Sequence, residues 1–396
     1  MLSLCLFLYT NLILGIVMKK IVYILSVLTI FYVVSCSSDD DSSNEGDNNS
    51  DSFDRVTLTT SWVNNLLIPA TSDLKSKLET LNSSVTSFTD APDEAKLTQV
   101  RTDLLEAYKV WQHVEMFFYG SAYSLDMNSY PADVTKITEN IDSTSPIDLG
   151  RTVLNPTQGL PAIDYLVNGL ESTDNDIITA YDEAKYQDYL KLLSTRMVTI
   201  PSEALSDFEA AKDTNVNSVG DAISSYFSIQ VNDFVQYTEK SFREAKIATP
   251  SGTRNRDIFP TISASPSPDF VESVYSPENS KTLYLEAYDA IQDFYYGRSY
   301  ANNDNTVGLQ EYLQALGTTI LIDGNDTSLD DYIISLFGNI DTANTNITDN
   351  FYQQTQDYNP NFDATFDAIQ EFVVAVKSNA INAFNLTIDF VDSDGD

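Results

Sequence analysis

The chain has a single histidine, His113, in 396 residues. An HExxH zinc site needs two histidines one helical turn apart, so that mechanism is excluded. A Ser-His-Asp triad would have to use His113 as its base, and no Gly-x-Ser-x-Gly element accompanies it. Basic residues are also scarce. Lys and Arg number 22 against 58 Asp and Glu, for a formal net charge of -36. A field of that sign repels phosphate backbones and anionic headgroups, so nucleic acid is excluded as a partner and cations are favoured. No Gly-rich phosphate loop and no basic stripe is present. Convincing strand alternation is missing as well, which leaves an all-α fold as the expectation.

Cysteine is limited to Cys5 and Cys36. Met18-Lys19-Lys20, the apolar run IVYILSVLTIFYVVS and then Cys36 have the layout of a secretory signal over residues 1–35. Val34-Ser35-Cys36 resembles a bacterial lipobox, which implies cleavage before Cys36 and acylation of its thiol. An uncleaved membrane anchor is the alternative. Lys19-Lys20 interrupt the apolar run that begins at Met1, so Met18 is the expected start. Processing would remove Cys5 and occupy Cys36, leaving no disulfide and no cysteine metal site. Residues 36–54, with SSDDDSSNEGDNNSDS, are too polar to pack and read as a tether. Serine and aspartate directly after the cysteine also resemble a surface-export signal, although a plain spacer would look the same.

From Phe53 the apolar spacing is helical. Trp62, Leu66 and Leu67 begin a stripe, Pro69 marks a break or kink, and Leu74, Leu78 and Leu81 continue it. Thr89-Asp90-Ala91-Pro92-Asp93-Glu94 is a helix start, and the helix it opens stops near Gly120. Further helical patterns begin near Gly159 and cover 181–197, 219–246, 280–296 and 362–384. Between them, residues 251–280 are rich in Pro, Ser and Thr and lack a helical period. This predicts a first bundle over 55–250, an irregular connection, and a second bundle with an acidic tail over 281–396. Asp392 to Asp396 resemble the start of a calcium loop, but no later ligand follows them, and they read as tail. A weak repeat relates the bundles. Leu105-Glu106-Ala107-Tyr108 recurs as Leu285-Glu286-Ala287-Tyr288, Tyr119-Gly120 as Tyr296-Gly297, and Gly159-Leu160 as Gly308-Leu309. Two helical-bundle repeats related by duplication, packed against each other, are the expected architecture, with a ligand cleft at the seam.

Tyr108, Trp111, Glu115 and Tyr119-Gly120 resemble the aromatic-Trp-Glu-Gly pattern of imelysin-like proteins. GLPAIDYLVNG, residues 159–169, is similar to that family's Gly-x-His-x-x-Glu segment. Arg243 to Lys246, Val271-Glu272-Ser273, Tyr275-Ser276 and Ile388-Asp389-Phe390 fit in the same order. The resemblance implies two duplicated helical bundles, a bacterial envelope location (here lipid-anchored to the outer membrane) and a site where the bundles meet. It also implies kinship with metallopeptidases and a link to iron uptake. The family's histidine falls at Pro161, which has no ligand atom, and its glutamate at Asp164. Both residues also suit a plain helix start, because proline is favoured in the first turn and an aspartate there gains roughly 0.3–1 kcal/mol from the dipole.

Two readings of Glu115 stay open. It shares a face with Tyr108, Trp111, Phe118 and Tyr119, where an unpaired carboxylate is costly. It is either a buried ion pair with Arg151, Arg243, Lys246 or a backbone amide cluster, or a site carboxylate near Asp164. By the repeat, Arg298 and Glu311 face that site from the second bundle, with a surface position for either as the equal alternative. The expected cleft is therefore Trp111, Glu115, Tyr119, Gly120, Arg151, Gly159, Pro161, Asp164, Arg298 and Glu311. No catalytic residue stands out, and only Glu115, Asp164 and His113 could contribute to a metal site. The expected function is binding a small ligand, peptide or iron-related species in the cleft, with a divalent or ferric cation as the cofactor class. The alternatives are a metallopeptidase using the same acids and a structural or adhesive surface lipoprotein.

Overall fold

The computed structural model describes residues 52–119, 121–253 and 265–390. The leader, Cys36, most of the acidic tether, Gly120 and the tail from Asp392 lie outside the described residues.

Helix α1 covers residues 55–90. Arg55–Ser61, a π-turn at Trp62–Leu67 and Ile68–Asp90 follow one another without leaving helical dihedrals. The break expected at Pro69 does not occur. Proline stands in the first turn of the third segment, directly after the π-turn, where the hydrogen-bond register has already shifted and its missing N–H is tolerated. Helix α2, Glu94–Val114, begins as expected: the Asp93 carboxylate accepts the Lys96 N–H at 2.8 Å. A tight turn, Glu115–Phe118, ends it. Shorter helices follow: α3 Ala122–Met127, α4 Val134–Ile141, α5 Gly159–Asp164 running into a π-turn at Tyr165–Gly169, and α6 Asp174–Ala180. Helix α7, Ala184–Val216, is longer than its pattern predicted.

Helix α8 covers residues 226–251, with a π-turn at Tyr237–Ala248. Then come α9 Ser280–Tyr296, α10 Leu309–Leu316, α11 Leu329–Asn344, α12 Phe351–Gln354 and α13, residues 360–383. The expectation of an all-α fold is met, apart from one small hairpin. In it β1, Thr319–Ile322, pairs antiparallel with β2, Asn325–Ser328. Its turn residues Asp323 and Gly324 have φ of 51 and 80°, the left-handed pair that closes a two-residue hairpin. Among the described residues no helix is long and apolar enough to cross a membrane.

Two hydrophobic cores organise these elements. Core A gathers Leu74, Leu78 and Phe88 of α1, Leu97, Leu104 and Trp111 of α2, Leu160 and Ile163 of α5, and Leu193 and Met197 of α7. Core B is aromatic and draws on both sides of the irregular connection. Trp62 stacks on Phe294 at 4.3 Å, Phe234 on Phe294 at 4.7 Å, and Tyr312 on Phe384 at 4.7 Å. Helices α2 and α9, which carry the two Leu-Glu-Ala-Tyr segments, pack against each other.

Arg55, the first residue of α1, is buried in core B at 1% exposure. A charge so placed is tolerable only when every donor is used. Its Nε donates to the Tyr312 hydroxyl at 2.8 Å, Nη1 to Asp221 Oδ1 at 2.6 Å and to the Val219 carbonyl at 3.1 Å, and Nη2 to the Phe384 carbonyl at 3.2 Å. The guanidinium also lies 4.7 Å from the Phe227 ring centroid. Arg55→Ala leaves these acceptors without their donor and opens a cavity. Chemical denaturation should show a loss of about 3–5 kcal/mol against wild type; a loss under 1 kcal/mol would show that Arg55 does not hold core B.

Candidate functional site

The GLPAID segment is positioned by its glycine. Gly159 has φ of 82°, and a Cβ there would sit 2.5 Å from the Met127 carbonyl oxygen. Only glycine lets α5 start so close against the end of α3. Pro161 is buried in the first turn, as suits proline. Asp164 is not in that turn. It is the last residue of α5, only 1% exposed, and both oxygens are hydrogen-bonded. Oδ1 accepts from the Ser276 hydroxyl at 2.7 Å and from Asn168 Nδ2 at 2.9 Å, and Oδ2 accepts from the Tyr275 N–H at 3.2 Å. Asp164 thus fastens the connection onto α5. Burial pushes its carboxyl up to about 6, against these three donors.

Glu115 stands at a different junction. Where α2 gives way to the tight turn, its side chain reaches the floor of a cavity of about 800 Å³. Tyr119, Ser124, Leu125, Asn128, Tyr130 and Phe270 are among the residues lining it. Beneath lies a buried cluster built from four parts of the chain. Glu272, on the connection, accepts from Lys246 Nζ of α8 at 2.5 Å, Gln112 Nε2 of α2 at 3.0 Å and Asn128 Nδ2 after α3 at 2.8 Å. Lys246 also donates to Gln112 Oε1 at 2.7 Å. Its Nζ is 4.0 Å from Glu115 Oε2, too far for a hydrogen bond. Glu115 Oε2 and Asn128 Oδ1 are buried acceptors with no partner at hydrogen-bond distance, although the Tyr237 hydroxyl and the Asn128 amide face Glu115. Burial pushes Glu115 up to about 7, with Glu272 adding to the effect and Lys246 opposing it. Burial, together with Glu115, pushes Tyr119 up to about 12.

The other expected cleft residues divide. Tyr119 lines the cavity beside Glu115, while Trp111 is wholly buried in core A and meets Phe118 edge-on at 5.6 Å. Burial, and then the charges of Asp164, Glu272 and Glu115, push the unpartnered Tyr108 hydroxyl well above the ordinary phenol range. Arg151 is exposed at the head of the Thr152–Thr157 turn and does not join them. Arg298 is held by Asp293 at 2.8 Å, and Glu311 accepts the Gly308 N–H at 2.8 Å to cap α10. Of the partners expected for Glu115, Lys246 is the near one. His113 borders a second cavity of about 670 Å³, where its Nε2 is 3.0 Å from Glu286 and its ring meets Tyr300 edge-on.

Sequence reasoning did not assign Gln112, Asn128 or Glu272 to the site. Gln112 carried a signal, being a polar residue on a buried helical face. Glu272 lies in an aperiodic segment with no face to assign it to.

A metal of the kind the peptidase class implies does not fit these residues. Pro161 offers no donor atom, and both Asp164 oxygens are engaged. Among the described residues no group of three or more His, Cys, Asp and Glu side chains is placed to hold a metal ion.

Two measurements follow. Lys246→Met leaves Glu272 and Glu115 buried without their cation and should destabilise the protein by about 3–5 kcal/mol at pH 7. The loss should shrink as pH falls below 7 and Glu115 takes up its proton, and a pH-independent loss would contradict the pairing. The second concerns Asp164, whose folded pKa lies above its unfolded one. The folded state then binds the extra proton, so this group's contribution is intact below pH 4 and declines as pH rises towards 6. Across that window wild type should lose about 3 kcal/mol relative to Asp164→Asn in urea titrations; parallel pH profiles would refute it.

A solved crystal structure of a protein from Parabacteroides distasonis, described as a candidate iron-regulated protein A precursor, superposes with a TM-score of 0.65. It is 16% identical, and the alignment covers 84% of this chain and 95% of that one. At that identity the likeness shows the fold. No curated protein matches the chain. The family model for imelysin, peptidase M75, matches residues 67–373, well over half of the chain. The chain belongs to the imelysin family.

Proposed function

We propose that the protein is a ligand-binding member of its family in the bacterial cell envelope, and that it does not hydrolyse peptides. One observation carries the reading: a cavity of about 800 Å³ lined by Glu115 and Asn128, each of which holds a buried acceptor without a hydrogen-bond partner, Oε2 and Oδ1 respectively. Leaving a buried acceptor empty costs about 1–3 kcal/mol, and a bound donor would recover that. The walls combine Tyr119, Tyr130, Leu125 and Phe270 with serine hydroxyls, the mixed lining of a small-molecule site. The peptidase alternative draws no support from Pro161 and Asp164. The solved neighbour's description as an iron-regulated protein A precursor is a reason to include iron among the ligands tried. The envelope placement rests on the family and on the leader and lipobox read from sequence. The anchor on Cys36 is part of the same proposal.

Thermal shift of the purified protein against ferric and divalent ions, small organic molecules and peptides tests this. At least one should raise the Tm, and Ser124→Trp, which fills the cavity, should abolish the shift. Silence across the panel, or chelator-sensitive cleavage of denatured protein, would overturn the reading.

A further inference from the structure

The geometry points to an organic ammonium group on an apolar body, a free amine or a lysine side chain of a peptide, as the ligand of the Glu115 cavity. This rests on the binding reading above and names its chemistry.

Charge at the floor does not balance. Glu272 is saturated by donors from Lys246, Gln112 and Asn128, and the short Lys246–Glu272 contact cancels one charge of each sign. Glu115 remains as the excess carboxylate, 6% exposed; its Oε2 has no partner at hydrogen-bond distance, and the neutral groups nearest it are the Tyr237 hydroxyl and the Asn128 amide. Asn128, 8% exposed, adds a second empty acceptor. Two acceptors and one surplus negative charge ask for a cation that brings N–H donors. A primary ammonium has three. A bare divalent ion would need several more oxygens than these two, and Lys246 4.0 Å away opposes a double charge.

The walls suit the rest of such a ligand. Tyr119, Tyr130 and Phe270 provide aromatic faces to a cation and its stem. Leu125 and Phe270 remain 55% and 43% exposed, apolar area that a ligand's stem would cover. The net charge of -36 draws cations towards the protein.

Binding is also linked to protons. The charged or titratable groups facing Glu115 are Lys246, Glu272, Tyr108, Tyr119, Tyr130 and Tyr237. Burial brings Glu115 near neutrality, to about 7. An ammonium pairs with the carboxylate form. That form grows as pH rises through 7, so affinity should increase about tenfold from pH 6 to pH 8. Lysine-like ammonium groups stay protonated over that range.

Isothermal titration of the full chain with phenethylamine and with N-acetyl-Ala-Lys-Ala-amide tests this. Their neutral counterparts, 2-phenylethanol and the norleucine tripeptide, are the controls. At least one ammonium probe should bind about tenfold or more tightly than its neutral partner, and Glu115→Gln should remove that preference. Which probe binds identifies the source, free amine or peptide. The pH profile is read on wild type and needs no variant. If neither ammonium probe binds, if Glu115→Gln binds them unchanged, or if affinity is flat in pH, the proposal is wrong. Neutral compounds that bind equally well and are lost in Ser124→Trp would overturn the ammonium while leaving the cavity as a binding site. Silence from every compound would overturn both.

Discussion

Everything at the seam of this molecule depends on one buried pair, Lys246 and Glu272. Glu272 belongs to the irregular connection, between two single 3-10 turns at Pro268–Phe270 and Pro277–Asn279. It is held because Lys246, Gln112 and Asn128 converge on its two oxygens. Those donors come from α8 of core B, from α2 of core A and from the turn after α3. The pair therefore joins both cores to the segment between them. A buried ion pair is a poor source of net stability, because desolvating two charges roughly offsets their attraction. What it supplies is position, since donors from three separate elements fix the two oxygens of Glu272.

That position explains why Glu115 is left over. Lys246 has committed protons to Glu272 and Gln112, and at 4.0 Å it can only partly offset the charge of Glu115. The change from α2 to a tight turn at Glu115 then places the carboxylate at a cavity floor rather than inside core A. Asp164 shows the opposite outcome. It is equally buried, yet the connection folds over it and supplies donors to both oxygens. Of two carboxylates that look alike in sequence, one has both oxygens hydrogen-bonded and the other has an oxygen without a partner.

Much of the fold was legible from sequence. The 280–296 pattern coincides with α9, and the capping signal at Asp93 marks the start of α2. Both follow from local rules, helical spacing and the need to satisfy orphan N–H groups. The hairpin at 319–328 was missed although Asp323-Gly324 is a strong hairpin dipeptide, because its strands are four residues each and carry little alternation. At Pro69, where a break or kink was expected, the helix is unbroken, because a π-turn invisible to a period-3.6 reading directly precedes the proline. At the site, Glu115 and Tyr119 could be found from an acid on an aromatic stripe. Arg298 and Glu311 could not be placed that way, because their partners Asp293 and the Gly308 amide lie close by in the chain and claim them locally.

Arg55 opens the first helix directly after the segment that leads from Cys36. Its guanidinium is tied to Asp221, Tyr312 and the carbonyl groups of Val219 and Phe384. Tension applied to the amino-terminal end of the chain is therefore delivered at once to core B, across contacts more than 160 residues apart in sequence, instead of unravelling α1 turn by turn. A pull on that end would be resisted in shear, by several bonds loaded together rather than one after another.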